Sequence, residues 1–100
     1  MNLNKKIICK DGFEMSVQAN RMAYCHPRVT GAESYDSVEI GYPNPPEEIL
    51  ARYAEMGPEM DSSGVFPWVP AHVVTTICAK HGGVVEGELP AGIPYLRATA

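Results

Sequence analysis

The sequence predicts an α+β fold: a single domain, with an antiparallel or mixed sheet of four to five strands starting with a β-hairpin and two helices packed on one face. Three observations lead there. Asp11-Gly12 stands between two runs rich in β-formers, KIICK and FEMSVQA, and Asp-Gly favours the tight turns that join antiparallel strands. The run YDSVEIGYP alternates apolar and polar residues, the period of a half-buried strand. Two later segments, NPPEEILARYAEMGP and PAHVVTTICAKHGG, carry apolar residues at helical spacing between recognisable end signals. The composition agrees: 100 residues, 45% hydrophobic and 20% charged, make one ordinary globular domain able to bury one modest core.

A two-residue Asp11-Gly12 turn would place Lys10 opposite Phe13 and Ile8 opposite Met15. Phe13, Met15, Val17 and Ala19 then line one face, and Cys9 falls opposite Glu14 on the other. NRMAYCHPRVTGAES reads as a loop, because Pro27 lacks a backbone donor and Gly31 permits a turn. In the next strand Val38, Ile40 and Tyr42 share one side, with Ser37 and Glu39 on the other. The first helix has Asn44 as its cap and Glu47 and Glu48 at the positive end of its dipole. Its inward stripe is Ile49, Leu50, Tyr53 and Met56, Glu48 and Arg52 form an i,i+4 pair, and Gly57-Pro58 ends it.

After the polar loop MDSSG, VFPWVP reads as a short strand that Pro67 confines to an edge or a bulge. Pro70 opens the second helix, with Val74, Ile77, Cys78 and His81 on one face and Gly82 as its stop. VVEGEL is the last strand, and residues 90–100 form an irregular C-terminal tail.

The net charge of −4 is unevenly spread. Residues 1–32 hold five basic against two acidic residues, whereas 33–61 hold eight acidic residues and only Arg52 as a base. Basic residues this few and scattered disfavour direct nucleic-acid binding. No apolar run approaches the ~20 residues of a membrane helix, and MNLNKKIICKDG is too poor in apolar residues for a secretory signal. Three cysteines is an odd count, better suited to reduced thiols in a cytoplasmic setting than to a disulfide framework.

Two Cys/His pairs invite a metal reading: Cys25-His26 and Cys78-x-x-His81. Zinc takes four such ligands, but its structural sites are marked by Cys-x2-4-Cys knuckles, and the sequence has none. Cys78 shares its stripe with Val74 and Ile77, the pattern of a buried core thiol. A Cys25 nucleophile would lack a helix N-terminus to lower its pKa, and the glycine-rich HGGVVEGELPAG lacks the Lys-Ser/Thr of a phosphate-binding loop. Nothing assembles into an active site. The expectation is a protein that is not an enzyme and needs no cofactor.

The acidic third also carries tyrosines, and the reading taken from it is a surface for a basic partner, built from Tyr35, Asp36, Glu39, Glu47, Glu48, Glu55, Glu59 and Asp61. CKDGFEMSVQA, YCHPR, VEIGYP, YAEM and VPAHVVTTICAKHGG, in this order, resemble a group of small accessory proteins encoded by tailed bacteriophages and prophages. The resemblance runs from Cys9 to Gly83 and carries no catalytic residues. It implies a protein of the bacterial host cytoplasm that inhibits a defence complex, as anti-CRISPR proteins do, by stoichiometric binding to a basic nucleic-acid-binding site on a host protein or ribonucleoprotein. The alternatives are a zinc-stabilised structural or regulatory domain using Cys25, His26, Cys78 and His81, or a homo-oligomer, such as a dimer, pairing through the VFPWV edge.

Overall fold

The computed structural model describes residues 3–54 and 64–99. Its five strands are β1 (Ile7–Cys9), β2 (Glu14–Gln18), β3 (Ser37–Asn44), β4 (Val65–Pro70) and β5 (Val84–Glu86). They form one sheet in the order β4-β3-β2-β1-β5, with every neighbouring pair antiparallel. A 3-10 helix spans Glu48–Tyr53 and helix α1 spans Ala71–Lys80. This is the expected α+β domain.

β4 and β5 lie at opposite edges, so α1 carries the chain across the sheet. Ten residues of helix cover about 15 Å, close to the roughly 19 Å between the outer strands of a five-stranded sheet. Its buried stripe, Val73, Val74, Ile77 and Cys78, packs with Leu50 of the 3-10 helix against Ile7, Cys9, Met15, Val17, Val38 and Ile40 of the sheet. A smaller cluster of Ala23, Cys25 and Tyr35 in the long β2–β3 connection meets this core through Ala19.

The hairpin exists, but its register differs by one residue from the expected one. Ile7 pairs with Met15 and Ile8 with Glu14. The Gly12 amide donates to the Cys9 carbonyl at 2.9 Å, and the Cys9 amide to the Phe13 carbonyl at 2.8 Å. The loop therefore has three residues, with Gly12 at φ +94°, the bulged form that glycine at this position permits. Asp11 helps to fix the wider turn, since its Oδ1 accepts from the Phe13 amide at 2.9 Å. A one-residue slip exchanges the faces of a strand. Cys9 accordingly lies in the core, not opposite Glu14 on the outer face.

Three other expectations change. β3 runs on to Asn44, so Asn44 caps nothing; Glu47 is the cap, accepting from the Ile49 amide at 2.9 Å. Pro45-Pro46 disfavours helical backbone just before this point, and only a short 3-10 helix follows. Three residues per turn do not align i with i+4, and Arg52 lies over the Tyr53 ring, 5.9 Å from its centroid. Met56 and the MDSSG loop up to Ser63 fall outside the described residues. Tyr42 leaves the side of Val38 and Ile40: the β2–β3 register shifts between Glu14 and Ser16, and Tyr42, at φ 52°, is 69% exposed. The tail is tied down, with Ile93 buried and Arg97 bridged in parallel to Val84.

Pro67 has the expected effect. β4 is an edge strand whose register shifts between Val38 and Ile40, and Trp68 bulges out at φ 48°.

Candidate functional site

Of the residues expected to form the acidic surface, Tyr35 and Glu47 are buried. The Tyr35 hydroxyl donates to the Val29 carbonyl at 2.7 Å and accepts from the Ala32 amide at 3.2 Å. That ring offers nothing to a partner. The Glu47 carboxylate is only 1% exposed and is consumed within the fold. Asp36 is exposed and paired with His26 at 2.9 Å, Glu48 is exposed on the 3-10 helix, and Glu39 is half-buried on β3. Glu55, Glu59 and Asp61 lie outside the described residues.

Glu47 instead organises a polar cluster where the hairpin turn, α1 and the 3-10 helix meet. Its carboxylate accepts from the Ile49 amide, from Lys80 Nζ at 2.8 Å and from His81 Nε2 at 2.6 Å. His81 Nδ1 lies 2.6 Å from Asp11 Oδ2, and the imidazole stacks on Phe13 with centroids 4.0 Å apart. Burial opposes the charge on His81, but the hydrogen bonds to Glu47 and Asp11 outweigh it and raise the pKa above its ordinary value. Burial likewise opposes ionisation of Glu47, and the Ile49 amide, Lys80 and His81 overcome it to hold the carboxyl below its usual range. Asp11 is held low by the Phe13 amide and then by His81. With both nitrogens engaged, His81 has no lone pair for a metal or a substrate proton. The cluster is a structural clamp.

The four-ligand metal alternative is also disassembled. Cys25 lies in the smaller cluster, its Sγ 3.3 Å from the Asn20 carbonyl, whereas Cys78 lies in the main core beside Cys9. His26 is turned to Asp36 and His81 to its two carboxylates. Among the described residues no group of three or more His, Cys, Asp and Glu is placed to hold a metal ion. Burial pushes the Cys78 thiol up to about 12, with Cys9 adding to the effect, and burial also raises Cys9 and Cys25. All three are core thiols that resist ionisation.

Both edges of the sheet are covered. At β4, Pro67 and Pro70 have no N–H, and the Trp68 amide donates to the Tyr24 carbonyl at 3.0 Å. At β5, the Val84 amide donates to the Leu96 carbonyl at 2.8 Å and the Ala98 amide to the Val84 carbonyl at 3.0 Å. Such coverage suppresses strand addition, so the VFPWV edge is poorly suited to pairing with a second copy.

The remaining surface of interest is the sheet face away from α1. Ser16, Gln18, Glu39 and Gly41 alternate with core residues and form the floor of a groove of about 390 Å³. Leu3, Met22, Tyr42 and Val65 supply apolar walls. Leu3, Met22 and Tyr42 are each about 70% exposed, and Trp68, 53% exposed in the bulged β4 edge, packs on Tyr24 of the β2–β3 connection. Tyr24 in turn donates its amide to Glu39 Oε2 at 3.0 Å. Of this site, the sequence pointed only to Glu39. The signal for Tyr42 and Trp68 was their position beside Pro43 and Pro67 in strand runs, where proline marks a bulge; Leu3 and Met22 carried none.

No family model matches this chain, and the comparisons with curated proteins and solved structures find no match. Among the described residues no helix is long and apolar enough to cross a membrane.

Proposed function

We propose that this chain is a non-enzymatic protein-binding module that engages a basic partner through the groove-bearing face of its sheet. The observation that carries the reading is the concentration of exposed Leu3, Met22 and Tyr42 around one groove on a sheet whose two edges are closed. Clustered exposed apolar groups of this kind mark interaction surfaces, and aromatic and methionine side chains are enriched in interface cores. The left-handed backbone at Tyr42 and Trp68 adds to this, since strained conformations gather where a side chain must be displayed. Stoichiometric inhibition of a bacterial host defence complex, in the host cytoplasm, is the role we assign to such binding, following the resemblance to phage accessory proteins. The contact surface is the groove with Glu39, not the array that included Tyr35 and Glu47.

The test is to mix the purified chain with purified CRISPR–Cas and restriction complexes and measure complex mass and nuclease activity. The expected result is a fixed-stoichiometry complex and lost activity with at least one target, both abolished by Met22→Asp and unaffected by Glu48→Lys. Binding that ignores Met22→Asp would remove the groove from the contact. Failure to bind any target would remove the inhibitor role.

A further inference from the structure

We infer that the groove takes an arginine side chain of the partner protein, its guanidinium at Glu39 and its aliphatic stem along the walls; this rests on the protein-binding reading above. Among the described residues Glu39 is the one acidic group lining the groove. One of its oxygens accepts from the Tyr24 amide, and among the described residues no cation pairs with it. Glu14, Asp36 and Glu47, in contrast, are each matched by Lys6, His26 or the Lys80–His81 pair. A half-buried carboxylate beside Met22, Tyr42 and Val65 is a charge that docking would bury further. A neutral apolar occupant would strip its water without replacing it. A phosphate-bearing occupant would meet like charge. A cationic side chain answers both objections.

Arginine fits better than lysine. Its planar guanidinium can share the Glu39 carboxylate and still lie on an aromatic face, while its methylenes cover apolar wall. The fold already uses this stacking three times: Arg28 lies 4.9 Å from the Tyr24 ring centroid, Arg97 5.1 Å from Tyr95 and Arg52 5.9 Å from Tyr53. Tyr35 is buried, which leaves Tyr42 as the exposed tyrosine whose face carries no arginine among the described residues.

Amide NMR titration of the whole chain tests this with three probes: acetyl-arginine methylamide, the neutral isostere acetyl-citrulline methylamide, and acetyl-norleucine methylamide. The expected result is saturable shifts at residues 16–18, 22–23 and 39–42 with the arginine probe, with binding by citrulline about tenfold weaker or less. Glu39→Gln, which keeps an acceptor for the Tyr24 amide, should bring arginine down to the citrulline level. Equal binding of arginine and norleucine would overturn the arginine assignment and leave an apolar docking groove. Absence of groove shifts with all three probes would overturn both.

Discussion

Both ring nitrogens of His81 lie 2.6 Å from carboxylate oxygens, an arrangement that calls for the imidazolium while Asp11 and Glu47 are ionised. Its folded-state pKa is raised above 6.5, so its stabilisation is complete below that value and disappears as pH rises through the raised one. Glu47 and Asp11 are lowered from 4.5 and 3.8, so their contribution is complete above those values and disappears as pH falls through the lowered ones. Stability should therefore peak between about pH 4.5 and 6.5 and decline on both sides. Urea midpoints across pH 3 to 9 check this, and His81→Gln should flatten the alkaline limb; an unchanged limb in that variant would refute the assignment. Glu47→Ala, which leaves His81 partly buried without one partner, should cost about 3 kcal/mol in urea unfolding. The sequence placed His81 in the last helical turn. It carried no sign of partners 70 and 34 residues away, because a carboxylate's spacing along the chain says nothing about where a turn and a cap converge.

At the scale of elements, the hairpin shows how a correct element can carry a wrong face. Asp-Gly was sufficient to locate the turn, but the same dipeptide suits two-residue and bulged three-residue loops. The burial of Ile7, Cys9 and Phe13 in one core with Ile77 and Cys78, together with the Asp11 bond to the Phe13 amide, distinguishes them. Gly12 has φ +94° and open space where a methyl group would stand, so Gly12→Ala carries a backbone penalty without a clash. The expected loss is about 1 kcal/mol, read as a lower urea midpoint with an unchanged slope. The 3-10 helix makes the converse case. Its single fully buried residue, Leu50, was legible as part of an apolar stripe, whereas the helix type was decided by the two prolines and the Glu47 cap. Leu50→Ala should destabilise by about 3 kcal/mol, because Leu50 is the anchor between this segment and the core.

Across the whole molecule, the closing of both sheet edges leaves the face away from α1 as the surface that the proposed binding would use. The β4 edge is blunted within the strand by its two prolines and by Trp68, a device visible in VFPWVP. The β5 edge is closed from outside by residues 96–98, which composition marked only as an irregular tail. Backbone bonds from a segment without alternation leave no periodic trace in its side chains. Close approach does leave one: a methyl group on Gly83 would stand 2.6 Å from the Ala98 nitrogen, so this packing requires glycine there. A chain ending at Pro94 would lose the Leu96 and Ala98 bonds to Val84 and the Lys10 Nζ contact with the Thr99 carbonyl at 3.1 Å. It would keep Ile93 in the core and the groove intact. Such a chain should remain folded, with a modestly lower urea midpoint, and should self-associate with rising concentration in light scattering as the bare β5 edge recruits a second copy. Groove binding should survive in the monomer that remains. If the shortened chain stays monomeric at all concentrations, the tail is not what keeps this edge from pairing, and the short length of β5 is protection enough.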